Sequence, residues 1–130
     1  MILVDSTVWI DYLKGVGNPQ TDRLDSLLGS EGLAVGDLIL TEVLQGIDDE
    51  RAFKTVEKMF MSLTVVELGG KDIAIRAAQN FRFLRHLGIT VRKTIDTIIA
   101  TRCIQNGYDL LHNDGDFDPF VKHLGLRSVL

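Results

Sequence analysis

A chain of 130 residues, 45% hydrophobic and 25% charged, supports one hydrophobic core and excludes both a second core and a disordered chain. One cysteine, Cys103, excludes an internal disulfide and points to a reducing, cytoplasmic setting; Asp5 interrupts the first apolar run too early for a signal peptide, and no stretch offers the about 18 uncharged apolar residues of a membrane span. The net charge of −4 argues against a nucleic-acid partner, but Lys71, Arg76, Arg82, Arg85, Arg92 and Lys93 gather in one segment with a single acid, Asp72, so a phosphate-bearing substrate stays in view.

Ile2-Leu3-Val4 reads as a short buried strand ending at Asp5. Ser6 or Thr7 is expected to cap the helix that follows, with Trp9, Ile10 and Leu13 on one face. After a turn-rich break from Gly15 to Pro19, Asp22 to Leu28 reads as a short helix closed by Gly29. Leu33-Ala34-Val35 is a second strand, and Ile39 to Leu44 a helix carrying Glu42. Asp48 or Asp49 caps a helix to about Met61, with Phe53, Val56 and Phe60 on one stripe, and Thr64-Val65-Val66 is a third strand. Lys71 to Leu87 is the longest helix, with Ile73, Ala77, Phe81 and Leu84 inward and Gly88 as its stop. Thr94 is expected to cap a helix from Ile95 to Gln105 that ends at Gly107. Leu110-Leu111-His112 is a strand, Asp116 to His123 a helix, and Ser128-Val129-Leu130 a final edge strand. Short apolar strands alternating with amphipathic helices predict a parallel sheet covered on both faces, with its chemistry at the carboxyl ends of the strands.

Most acids lie on polar helix faces or in caps, but Asp5, Glu42, Asp96 and Asp114 break the pattern. Asp5 and Asp114 end apolar strands, Glu42 lies within Leu38-Ile39-Leu40-Thr41-Glu42-Val43-Leu44, and Asp96 is flanked by Ile95, Ile98 and Ile99. Each alone has an ordinary reading as a cap or a first-turn acid. Together they can converge at the strand ends. Two carboxylates about 4 Å apart repel by roughly 1 kcal/mol in water and roughly 4 at an effective dielectric of 20, so such a group needs a cation. Oxygen donors without a cysteine or histidine pair favour Mg2+ or Mn2+ over zinc, as in metal-assisted phosphodiester hydrolysis.

The segment Ile2-Leu3-Val4-Asp5-Ser6-Thr7-Val8-Trp9-Ile10-Asp11-Tyr12 resembles the opening of PIN-domain proteins, especially VapC-type toxins of VapBC toxin–antitoxin systems. The likeness continues at Leu40-Thr41-Glu42-Val43-Leu44-Gln45-Gly46 and at Val91-Arg92-Lys93-Thr94-Ile95-Asp96-Thr97-Ile98-Ile99-Ala100. It ends at Leu111-His112-Asn113-Asp114-Gly115-Asp116-Phe117-Asp118, so the ordered motifs cover nearly the whole chain. The resemblance implies a single PIN domain over residues 1–130, an α/β fold built as a three-layer α/β/α sandwich with a mainly parallel sheet. It implies a catalytic set of Asp5, Glu42, Asp96 and Asp114, with Mg2+ or Mn2+ held by Asp5, Asp96, Asp114 and Asp116. It further implies endoribonuclease activity on RNA, tRNA being a recurrent substrate of the family, a homodimer, and silencing by a VapB-type antitoxin. Ser6 and Thr7 stand where the family has a hydroxyl beside the first acid, and Arg92 and Lys93 adjoin the acid site as candidate substrate-phosphate contacts, or as partners for an antitoxin carboxylate. Gly115 departs from the larger, often basic residue between the last two acids.

His112 reads as a satisfied core histidine within its strand, and Cys103 as a small buried hydrophobe. An aspartyl phosphatase would carry a second Asp where Thr7 stands, and a phospho-accepting receiver domain would pair adjacent acids after the first strand and add a later strand-end Lys; neither pattern is met. The alternative from another class is a non-catalytic or weakly catalytic module that binds RNA or antitoxin.

Overall fold

A computed structural model describes residues 1–130. Five strands, β1 (Ile2–Val4), β2 (Leu33–Gly36), β3 (Thr64–Val66), β4 (Asp109–Leu111) and β5 (Arg127–Ser128), form one sheet in the order β3-β2-β1-β4-β5. Every neighbouring pair is parallel, with Leu3 opposite Ala34 on one side and Leu110 on the other. Of the three inner strands, β1 and β4 bury Leu3, Val4, Leu110 and Leu111 completely, which is why they read as unbroken apolar runs rather than alternating ones.

Helices α1 (Ser6–Leu13), α2 (Pro19–Leu27), α3 (Asp37–Gln45) and α4 (Glu50–Met61) connect β1 to β2 and β2 to β3. Helices α5 (Lys71–His86) and α6 (Thr94–Asn106) lead from β3 back to β4, and a 3-10 turn (Gly115–Phe117) with α7 (Asp118–Leu124) leads to β5. Because the chain reverses direction across the sheet after β3, right-handed crossovers put α1–α4 over one face and α5–α7 over the other. The helix pairs in contact follow this division: α1 meets α2 and α3, α3 meets α4, and α5 meets α6 and α7. On the first face Trp9 of α1 packs edge-on against Phe60 of α4, ring centroids 4.9 Å apart. The three-layer α/β/α fold matches the sequence expectation, and no helix is long and apolar enough to cross a membrane.

Several boundaries differ from the expected ones, each for a local reason. Helix α1 is capped by Asp5, whose extended backbone lets its carboxylate accept from the Thr7 N–H, so neither Ser6 nor Thr7 is the cap. Helix α2 starts earlier than Asp22 because Asn18 and Thr21 close a reciprocal capping box around Pro19, the first residue of the helix. Thr94 is the first residue of α6, and Lys93 stands at the cap position with no side-chain bond to the helix. His112 lies just beyond β4, a 3-10 turn precedes α7, and β5 covers Arg127–Ser128 rather than Ser128 to Leu130. Helix α4 buries only Phe60 fully; Phe53 and Val56 are half-buried at its flank.

Two glycines are required by the geometry. A Cβ at Gly36, where β2 turns into α3, would collide with the buried side chain of Leu68. Gly107 ends α6 in the left-handed region, φ 70°, and turns the chain into β4.

Candidate metal centre

The strand order branches at β1: β2 and β3 are added on one side, β4 and β5 on the other. The chain therefore leaves β1 and β4 toward opposite faces, and a crevice opens at their carboxyl ends. Asp5 follows β1 directly. Its backbone N–H donates to the carbonyl of Leu111, the last residue of β4, at 2.9 Å. Asp114 and Asp116 lie in the turn after β4, and Asp96 lies in the first turn of α6. Glu42 approaches from α3, which packs on α1.

A carboxylate oxygen from each of Asp96, Asp114 and Asp116 lies within 4.8 Å of the others. Asp5 and Glu42 are not part of this tight triad but are coupled to the group through charge. The Asp96 carboxyl is pushed up to about 6, first by burial and then by the charges of Asp5, Asp114 and Asp116, with the Lys93 ammonium pulling the other way. Burial also raises the Asp5 carboxyl, which is only 4% exposed, and the Asp114 charge adds to it. Opposing this are the Thr7 hydroxyl, which donates to Asp5 Oδ2 at 2.7 Å, and the backbone N–H groups of Thr7 and Ser6. Glu42 is raised by its own burial and by Asp5, and held back by the Ser6 hydroxyl and Lys93.

One atom marks the group as incomplete on its own. Asp96 is 5% exposed, and its Oδ2 is buried with no hydrogen-bond partner. An ionised, desolvated oxygen facing like charges is unfavourable by itself and well suited to a hard cation. All the donors are carboxylate oxygens, a set that fits Mg2+ or Mn2+ rather than zinc.

The residues singled out beside the acids divide. Ser6 is buried and lies close to Glu42. The Thr7 side-chain hydrogen bond goes to Asp5, so its hydroxyl serves the first acid. Lys93 is exposed and lies near Asp96 and Glu42. Arg92, with a side chain 76% exposed, reaches Asp116 with one nitrogen at 2.9 and 3.2 Å from its two oxygens. Cys103 is fully buried, and burial pushes its thiol up to about 12, so it is inert at neutral pH.

Sequence reasoning missed the partners of His112. The ring is 9% exposed and lies against Phe117, but its Nδ1 accepts from the backbone N–H of Asp114. The only signal available in the sequence is its position two residues before an acid. Asp37 carries no mark of its role in the sequence: its Oδ1 accepts from the N–H groups of Leu38 and Leu68, tying the start of α3 to the segment after β3.

Comparison with known proteins adds to this geometry. Residues 2–121 match the PIN domain family. Ribonuclease VapC11 of Mycobacterium tuberculosis is 29% identical, the alignment covering 99% of this chain and 98% of that protein. Among solved structures, VapBC-1 from nontypeable Haemophilus influenzae superposes with a TM-score of 0.74 at 19% identity, covering 98% of this chain and 96% of that one. VapC20 of M. tuberculosis, described as a Sarcin-Ricin loop cleaving toxin, gives a TM-score of 0.66 at 19% identity, covering 91% and 93%.

Proposed function

The chain belongs to the PIN-domain family, and from that premise we propose that it is a metal-dependent endoribonuclease toxin, hydrolysing RNA phosphodiesters and neutralised by a cognate VapB-type antitoxin. The observation that carries this reading is the buried, unpartnered Oδ2 of Asp96, a residue whose carboxylate gathers with those of Asp114 and Asp116. The ribonuclease names of its relatives and the toxin–antitoxin complexes among its structural neighbours support the same class.

In this reading Asp96, Asp114, Asp116 and Asp5 hold Mg2+ or Mn2+, and the chain acts as a homodimer. When bound, such a cation neutralises charge on the phosphodiester and lowers the pKa of water. The chain's own groups do the rest. Asp5 is oriented by the Thr7 hydroxyl and the N-terminal amides of α1, which oppose the rise that burial imposes on its carboxyl. Glu42 comes from α3, outside the tight triad, and its raised pKa suits it to hold a water and accept its proton. Lys93 sits beside this pair as the contact for a substrate phosphate, and Arg92 becomes a second one when it leaves Asp116.

The test is to incubate the purified protein, freed of antitoxin, with total cellular RNA in Mg2+ or Mn2+, with EDTA and Asp96→Asn as controls. Discrete fragments that need both the metal and Asp96 are expected. Folded protein that yields none under any metal would leave an RNA- or antitoxin-binding module instead.

A further inference from the structure

Asp114 carries its carboxylate into the triad from a segment that no strand holds, because β4 ends at Leu111. Two of the bonds that restrain it are local: its Oδ1 accepts from the Asp116 N–H at 2.9 Å, and its carbonyl accepts from the Phe117 N–H at 3.2 Å. Its own N–H has one partner, Nδ1 of His112, at 3.4 Å. The other ring nitrogen, Nε2, is 3.1 Å from Oγ of Ser128 on β5, and that hydroxyl donates to the carbonyl of Leu130 at 2.9 Å.

This chain of bonds has one consistent polarity. A backbone N–H can only donate, so Nδ1 presents its lone pair and the neutral ring carries its hydrogen on Nε2. Nε2–H then donates to Ser128 Oγ, whose own hydrogen is already directed to Leu130. Phe117 lies against the ring at 5.0 Å between centroids and limits its rotation. The acceptor nitrogen of His112 is therefore engaged, and the ring is not free to act as a base toward the acids.

We propose that His112 is the positioning residue of the metal centre: it fixes the backbone of Asp114 and, through Ser128, fastens the acid loop to the C-terminal edge strand. The proposal rests on the metal-centre reading above. Groups that orient metal ligands from outside the coordination sphere typically change metal affinity or activity by roughly 10- to 100-fold when removed.

The experiment measures Mn2+ affinity by calorimetry on the metal-free, full-length protein, with unfolding curves in EDTA and the 15N shifts of the His112 ring. His112→Leu, which keeps the bulk and loses the acceptor, is expected to bind Mn2+ about 10-fold more weakly with its unfolding midpoint little changed. His112→Asn, whose Oδ1 can accept from the same N–H, is expected to recover most of that loss. The ring shifts should report hydrogen on Nε2. Leu binding like wild type, Asn failing to recover affinity, or hydrogen on Nδ1 would each overturn the proposal. Should the Leu variant not fold, Ser128→Ala decides: a several-fold loss of affinity supports the relay, and none overturns it. Wild type that binds no Mn2+ in an Asp96-dependent way would instead overturn the metal centre itself, and this proposal with it.

Discussion

The backbone N–H of Asp5 donates to the carbonyl of Leu111 at 2.9 Å, joining the carboxyl end of β1 to that of β4. This one bond brings the first acidic motif of the chain to the last, since Asp114 follows Leu111 in the next turn. The two motifs come from opposite ends of the sequence and share a crevice because their strands are neighbours in the sheet.

Asp96→Asn is expected to abolish cleavage and, in EDTA at pH 8, to stabilise the protein. The carboxyl is raised from 3.8 to about 6, and each pKa unit corresponds to about 1.4 kcal/mol, so the gain should approach 2–3 kcal/mol. Urea unfolding of both proteins without metal measures it. A variant less stable than wild type would mean that the ionised Asp96 serves the fold rather than a cation.

The same shift sets a pH dependence for the metal-free wild type. A raised carboxyl is favourable to the fold in its neutral form, so this contribution is fully present below the unfolded value of about 4 and is lost as pH rises through about 6. Asp5 and Glu42 are shifted in the same direction. Thermal melts in EDTA should therefore fall between pH 4 and 7, and saturating Mn2+ should flatten the decline. Melting temperatures that climb steadily over that range without metal would contradict the assignment.

Thr7→Val removes the hydroxyl that donates to Asp5 while leaving an exposed position of similar shape. Mn2+ affinity should drop by roughly 10-fold, with the KM for RNA unchanged at saturating metal. The reverse pattern, a raised KM with normal metal binding, would return Thr7 to the role of a substrate contact.

Arg92→Gln frees Asp116 from its only ion pair. Because the pair is exposed, Mn2+ affinity should rise by no more than a few-fold. RNA affinity, measured in the Asp96→Asn background, should fall and lose about one unit of its salt-dependence slope. An unchanged slope would show that Arg92 never leaves Asp116 for a phosphate.

Gly36→Ala introduces a Cβ into the space of the Leu68 side chain at the base of the helix bearing Glu42. Overpacking of this kind typically costs about 1–3 kcal/mol, which urea denaturation would register as a lower midpoint. A midpoint equal to that of wild type would show that Leu68 moves aside freely.

Much of the fold was legible before any coordinates. Ile2-Leu3-Val4 and Thr64-Val65-Val66 are strands as read, and the long helix from Lys71 ends within one residue of the expected stop. These features rest on side-chain periodicity and on glycine stops, which act over a few residues and so leave a local trace. The errors sit where a cap or a strand end depends on what lies opposite. Asp5 caps α1 because the end of β4 holds its backbone, and of the two expected caps Ser6 is the buried first residue of the helix and Thr7 the second. His112 reads as strand in the sequence, but the pairing of β4 stops one residue earlier, at Leu111.

The sequence by itself determined that four apolar contexts carry unexpected acids, and that the elements bearing them alternate as a parallel α/β sheet requires. Only the tertiary structure decided which of those acids meet. Asp96, Asp114 and Asp116 form the tight triad, Asp5 and Glu42 join it through charge, and Arg92 spends its guanidinium on Asp116. The physical reason is one of range. Burial patterns and turn chemistry are set by near neighbours, whereas the distance between two carboxylates is set by strand order and by the angle at which each helix leaves the sheet.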